Sequence, residues 1–149
     1  MTNYFSEFDS DRIVAAIAEA EKKSSGEIRV HVTRRIPENL EERALRRFEL
    51  LGMTKTAGRN GVLLYIAPRA HKFRILGDVA IHEKCGPEFW QEVAHGMEES
   101  FRRGEFTEGV VRCVERVGEV LARHFPRQAA DRDELSNALD EEPETDQPK

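Results

Sequence analysis

Glu27, Asn60, Asp78 and Glu83 carry oxygen-bearing side chains at or near the ends of the most strand-like segments of this chain. Two or three carboxylates with an amide oxygen form a donor set that suits calcium or magnesium. A cation held there would polarise a phosphoryl oxygen, with Asp78 and His82 as the candidate catalytic residues of a phosphate-ester hydrolase. The same residues have a plainer use: Asn60 and Asp78 suit turns, and Asp78 suits the cap of the connection after its strand. There is no dense Asp-x-Asp-x-Asp loop. His82-x-x-Cys85 offers a nitrogen and a sulfur to a transition metal, with a third ligand needed from His95 or elsewhere. The alternative is a loop histidine and a buried thiol. No Gly-x-Ser-x-Gly, Walker or Cys-x5-Arg pattern occurs, which leaves nucleophilic serine or cysteine catalysis little support.

The elements that position these residues follow from hydrophobic spacing. Ser6 or Asp9 caps a first helix with a stripe of Ile13, Val14, Ile17, Ala18 and Ala20, and Gly26 suits its left-handed end. Residues 27–33 alternate as a strand, with Ile28, Val30 and Val32 on one face and a polar face opposite that is exposed or covered by long side-chain stems. Asn39 with Glu42 resembles a capping box for a second helix, whose apolar face includes Leu40, Ala44, Leu45, Phe48 and Leu51 and whose stop is Gly52. Residues 62–67 are an unbroken apolar run, expected where both faces of a sheet are covered. Pro68 opens a turn, and residues 72–77 alternate as a half-buried edge strand. Residues 79–85 read as a connection. Gly86 and Pro87 open a third helix that ends at Gly104, and Thr107 caps a fourth that ends before Pro126.

A strand–helix–strand unit implies a parallel pair with a right-handed crossover, and the following hairpin adds an antiparallel strand. The expected fold is a small α/β, three-layer-like sandwich: a mixed sheet of about three strands, the first two parallel and the third antiparallel, with about four helices. Such a sheet gathers Glu27, Asn60 and Asp78 at one end. Its other end collects Arg34 and Arg35 with Arg69 and His71, a basic rim for an anionic partner or a soluble edge.

With these elements in place, Asn60-Gly61-Val62-Leu63-Leu64-Tyr65-Ile66-Ala67 resembles the Asn-Gly-Val-Leu-Leu-Leu-Ile-Ala core of TPM domains. Ser24-Ser25-Gly26-Glu27-Ile28 resembles the Thr-Gly-Ala-Gln-Ile entry to their first strand. Phe73-Arg74-Ile75 with Gly77-Asp78 is similar to their Arg-Ile-x-x-Gly-Tyr-Gly segment, with Asp78 where longer members often carry tyrosine. The match covers about residues 6–126 and resembles the short, soluble bacterial form. The resemblance implies an α/β fold and two activities: accessory service to membrane-associated complexes, or acid-phosphatase chemistry with a calcium site, as described for a thylakoid-lumen member. No shared catalytic motif comes with the fold.

The chain of 149 residues suits one domain, residues 1–126, followed by an acidic tail, 127–149, expected to be largely disordered apart from a short possible helix at 131–139. From Arg127 to Lys149 three basic residues face eight acidic ones, which accounts for the entire net charge of −5. A neutral folded part argues against a nucleic-acid binder. The absence of a long apolar run argues against membrane insertion, and the N-terminus does not read as a secretory signal, so a cytoplasmic location is expected. The two cysteines, Cys85 and Cys113, read as buried thiols. The leading expectation is a binding or accessory module for membrane-associated protein partners. The alternative is a calcium- or magnesium-dependent phosphatase-like hydrolase, and oligomerisation through an edge strand is a third.

Overall fold

The computed structural model describes residues 8–127 and 140–141. The elements run α1 (Ser10–Glu21), β1 (Glu27–Val32), α2 (Leu40–Leu50), β2 (Gly61–Ala67), β3 (Lys72–Gly77), α3 (Val79–Arg102), α4 (Phe106–His124) and β4 (Asp140–Glu141), with single 3-10 turns at Met53–Lys55 and Pro68–Ala70. The sheet order is β3-β2-β1-β4. β1 runs parallel to β2 with Glu27 opposite Gly61, and β3 runs antiparallel to β2 with Gly77 opposite Val62. The mixed three-strand arrangement expected from the residue pattern is therefore present, with β2 between its two neighbours. The fourth strand is two residues long and lies parallel to β1 at His31 and Val32. The helix expected at 131–139 lies outside the described residues, as does the rest of the tail beyond Arg127 apart from β4.

β2 has apolar side chains on both faces because helices cover both. Val62, Leu64 and Ile66 join Ile28, Val30 and Val32 in a core with Ile13, Ile17, Met97, Val114 and Leu121 from α1, α3 and α4. Leu63 and Tyr65 meet Ala44 and Phe48 of α2 on the other side. Each fully buried aliphatic side chain contributes about 1.5–3 kcal/mol, so the larger core dominates stability. Of the two alternatives for the polar face of β1, the covered one holds: Glu27, Arg29 and His31 are buried, as is Thr33 just after the strand.

Several helix ends follow local chemistry. Asp9 caps α1 by accepting from the Arg12 N–H, and Asn39 caps α2 by accepting from the Glu42 N–H. Gly52 and Gly104 take positive φ after α2 and α3. Three expectations are corrected. Residues 79–85 are helical, because Asp78 caps them and the Arg59 carbonyl accepts from the Ala80 N–H. The break falls at Gly86, with φ 75° and ψ 165°, a conformation open essentially only to glycine, and Pro87 restarts the helix. Thr107 does not cap α4; its hydroxyl accepts from the Asp9 N–H and ties the start of α1 to α4. Gly26 is not left-handed. A Cβ there would lie 2.7 Å from the Leu121 side chain, so close packing is what requires glycine.

Candidate functional site

The register gathers Glu27, Asn60 and Asp78 at one end of the sheet, and the Asp78 N–H donates to the Gly61 carbonyl at 2.8 Å. Their side chains turn to separate tasks. Asp78 is clasped by Arg59, with Nε to Oδ2 at 2.6 Å and Nη2 to Oδ1 at 2.8 Å, and it also accepts from the Val79 N–H. Arg59 holds this fork on a backbone of φ 49°. Asn60 donates to the Ser25 hydroxyl, while its buried Oδ1 lacks a hydrogen-bond partner. Glu27 Oε2 accepts from Arg29. Glu83 is exposed on α3. Among the described residues, no group of three or more His, Cys, Asp or Glu side chains is placed to hold a metal ion. One orphaned amide oxygen beside two carboxylates already held by arginines does not fit calcium or magnesium, which need several free oxygens. His82 and Cys85 are not joined in a ligand set either: His82 stacks on Trp90, with ring centroids 6.5 Å apart. Burial raises the Cys85 thiol, and pushes that of Cys113 to about 12.

Beside this end lies a buried charge cluster outside the apolar pattern of α1 and β1. Arg29 Nη1 donates to Glu21 Oε2 at 2.9 Å, and its Nη2 reaches Glu27. Glu21 also accepts from the Ile28 N–H at 2.7 Å, so the end of α1 is fixed to β1 by a carboxylate. Burial pushes its carboxyl up to about 7, against the pull of that N–H and of Arg29. One signal available was Glu27 and Arg29 two apart on a single strand face. Glu21 continues the line of Ile13 and Ile17 at four-residue spacing, so its position faces the core although its residue type is not apolar.

The open surface lies along β3, the last strand of the sheet among the described residues. Two clefts border it. One, of about 610 Å³, runs from His71 and Lys72 past Phe73 and Ile75 to Trp90 and Phe101. The other, of about 500 Å³, lies between α2, the end of β3 and the start of α3; Leu45, Phe48, Val79 and Trp90 line it, with Asp78 and His82 at its margin. Trp90 lines both clefts. Leu45, expected in the buried face of α2, is 51% exposed here, and Val79 is 54% exposed. At the other end of β3, the turn carries Arg69, whose Nη1 donates to the Arg34 carbonyl at 3.3 Å. Arg34, Arg69 and His71 are thus drawn toward one rim, and the Arg35 N–H is held by the Thr33 hydroxyl next to it. Asp78 and His82 meet only at the cleft margin, one helical turn apart.

This geometry defines a small α/β domain with a half-open sheet edge flanked by apolar clefts. The chain belongs to the TPM-domain family, whose model, described as TPM domain, matches residues 1–120. It is similar to the BA42 protein of the psychrophilic bacterium Bizionia argentinensis, known from an NMR structure, at 37% identity over 89% of this chain and 92% of that one, with a TM-score of 0.83. The N-terminal domain of the cg2496 protein of Corynebacterium glutamicum shares the fold at 15% identity, over 74% of this chain and 70% of that one, with a TM-score of 0.58. No curated protein matches the chain. Among the described residues, no helix is long and apolar enough to cross a membrane.

Proposed function

We propose that this protein is a binding module that receives a protein partner along β3, in the manner of an accessory component of a membrane-associated complex. The carrying observation is the contrast between the two ends of the sheet. Asp78 is committed to Arg59 and a helix cap, whereas the β3 side offers two adjoining clefts with exposed apolar walls and a basic rim. Clefts of this size and lining suit side-chain insertion, and exposed apolar residues gathered in one place mark interaction surfaces. Arg34, Arg35, Arg69 and His71 at the rim favour an anionic group on the partner. Membrane association of that partner rests on family resemblance alone.

A photo-crosslinking residue in place of Leu45, in cells that produce the protein, tests this reading. It should yield a discrete adduct that Arg34→Glu with Arg69→Glu weakens. Adducts unaffected by the charge reversal would remove the rim from the binding surface, and no adduct from position 45 would remove the cleft. The hydrolase alternative is checked separately with a generic phosphate ester and millimolar calcium or magnesium. Turnover that disappears in Asp78→Asn would restore it.

A further inference from the structure

The two edges of the sheet differ, and, resting on the proposed binding function, that difference bears on the form and chemistry of the partner segment. The β1 edge is partly covered by the chain itself: Asp140 and Glu141 pair with His31 and Val32, and the Glu21 carboxylate accepts from the Ile28 N–H. No described strand lies beyond β3. The Asp78 N–H donates inward to Gly61. Backbone groups of an antiparallel strand alternate in direction, so Leu76, Arg74 and Lys72 also pair inward with β2. Phe73, Ile75 and Gly77 therefore direct their N–H and C=O groups outward, along the edge that the two clefts border.

We infer that β3 accepts an extended segment of a partner protein as an added strand, and that this segment alternates acidic with apolar residues. Cross-strand neighbours on one face interact directly, so the side chains of β3 dictate those of its partner. Lys72 and Arg74 stand on one face and call for carboxylates opposite them. Phe73 and Ile75 stand on the other, beside Phe101 and Trp90, and call for apolar side chains that fill the larger cleft. Strand addition of this kind draws affinity from main-chain hydrogen bonds and specificity from the alternate side-chain pockets. The charge balance of that cleft points the same way: His71, Lys72, Arg74 and Arg102 line it against Glu98. Arg74 and Arg102 already share their charge with Glu41 and Glu99, which leaves exposed Lys72 as the leading electrostatic contact. A second copy of β3 is a poor occupant, since pairing would bring the cations of two Lys72–Arg74 faces together.

The test uses the full chain, 15N-labelled, with two synthetic six-residue probes, one alternating glutamate with valine and one alternating lysine with valine. The acidic probe should slow amide exchange at Phe73, Ile75 and Gly77 by about 10-fold or more at saturation, because those N–H groups become hydrogen-bonded. It should bind about 10-fold more tightly than the basic probe, and Lys72→Glu should erase most of that preference. Binding that shifts Trp90 and Leu45 without slowing the outward amides would overturn strand addition while leaving the cleft-binding reading intact. Equal binding of both probes would overturn the acidic preference. Binding of neither probe, or protection that grows with protein concentration alone, would overturn the inference outright.

Discussion

Asp78 and Glu21 are both carboxylates held by an arginine, yet they differ in what their environment does. Asp78 sits at the cleft margin with two strong hydrogen bonds to Arg59 and one to a helix N–H, so its charge is fully used in holding the start of α3 to the Gly58–Asn60 turn. Glu21 is 2% exposed, and desolvation outweighs its partners, raising its carboxyl from 4.5 to about 7. The folded value lies above the unfolded one. The native state therefore holds a proton that the unfolded chain releases across this window. The stability this group contributes is complete below pH 4.5 and is lost as pH rises through about 7. Glu21→Gln keeps an acceptor for Ile28 and Arg29 but cannot ionise. Urea unfolding of both proteins should show the wild type losing about 2 kcal/mol relative to the variant between about pH 5 and 7.5. A constant difference across that range would mean that Arg29 keeps Glu21 ionised throughout. Asp78 was legible as a turn or cap residue as well as a site residue, and it does cap α3. Glu21 lies on the face of Ile13 and Ile17, but what holds a carboxylate there is a strand arginine eight positions later in the chain, which the residue type alone does not show.

At the scale of elements, the strands were legible because their signals are local: an unbroken apolar run for β2, alternation for β1 and β3. Helix ends marked by a side chain acting within three residues, such as Asp9 and Asn39, were also legible. Failures arose where a distant partner decides. Thr107 is recruited by Asp9, and residues 79–85 become helical through the Arg59 carbonyl, neither of which a local pattern shows. Helix packing is decided the same way at Gly118, where a Cβ would lie 2.7 Å from Ala20 Cβ, with the Ala20 backbone 3.5 Å away. Alanine at this position gains about 1 kcal/mol of helix propensity but forces α1 from α4, an overpacking cost of about 1–3 kcal/mol. Gly118→Ala should therefore lower thermal stability, and Ala20→Gly added to it should recover more than the two single changes predict. Additive singles would show that α1 and α4 separate without cost.

For the whole molecule, the asymmetry of the sheet organises the account. One face of β2 is sealed by three helices and the other by α2; one edge of the sheet is covered by β4 at His31 and Val32, and the other is bordered by clefts. The sequence pattern marked β3 as an edge and its turn as basic, which is as much of the proposed binding surface as one chain discloses. The clefts themselves are built from residues far apart in the chain, one from β3 with α3 and Phe106 and the other from α2, β3 and the start of α3, and no local periodicity encodes them. Binding along β3 requires its outer backbone to be free before any partner arrives. Amide hydrogen exchange of the full chain, measured residue by residue, tests this most directly. Phe73, Ile75 and Gly77 should exchange at least about 10-fold faster than Arg74 and Leu76, whose N–H groups pair with β2. Equal protection along β3 would mean that its edge is already covered, and would contradict the account.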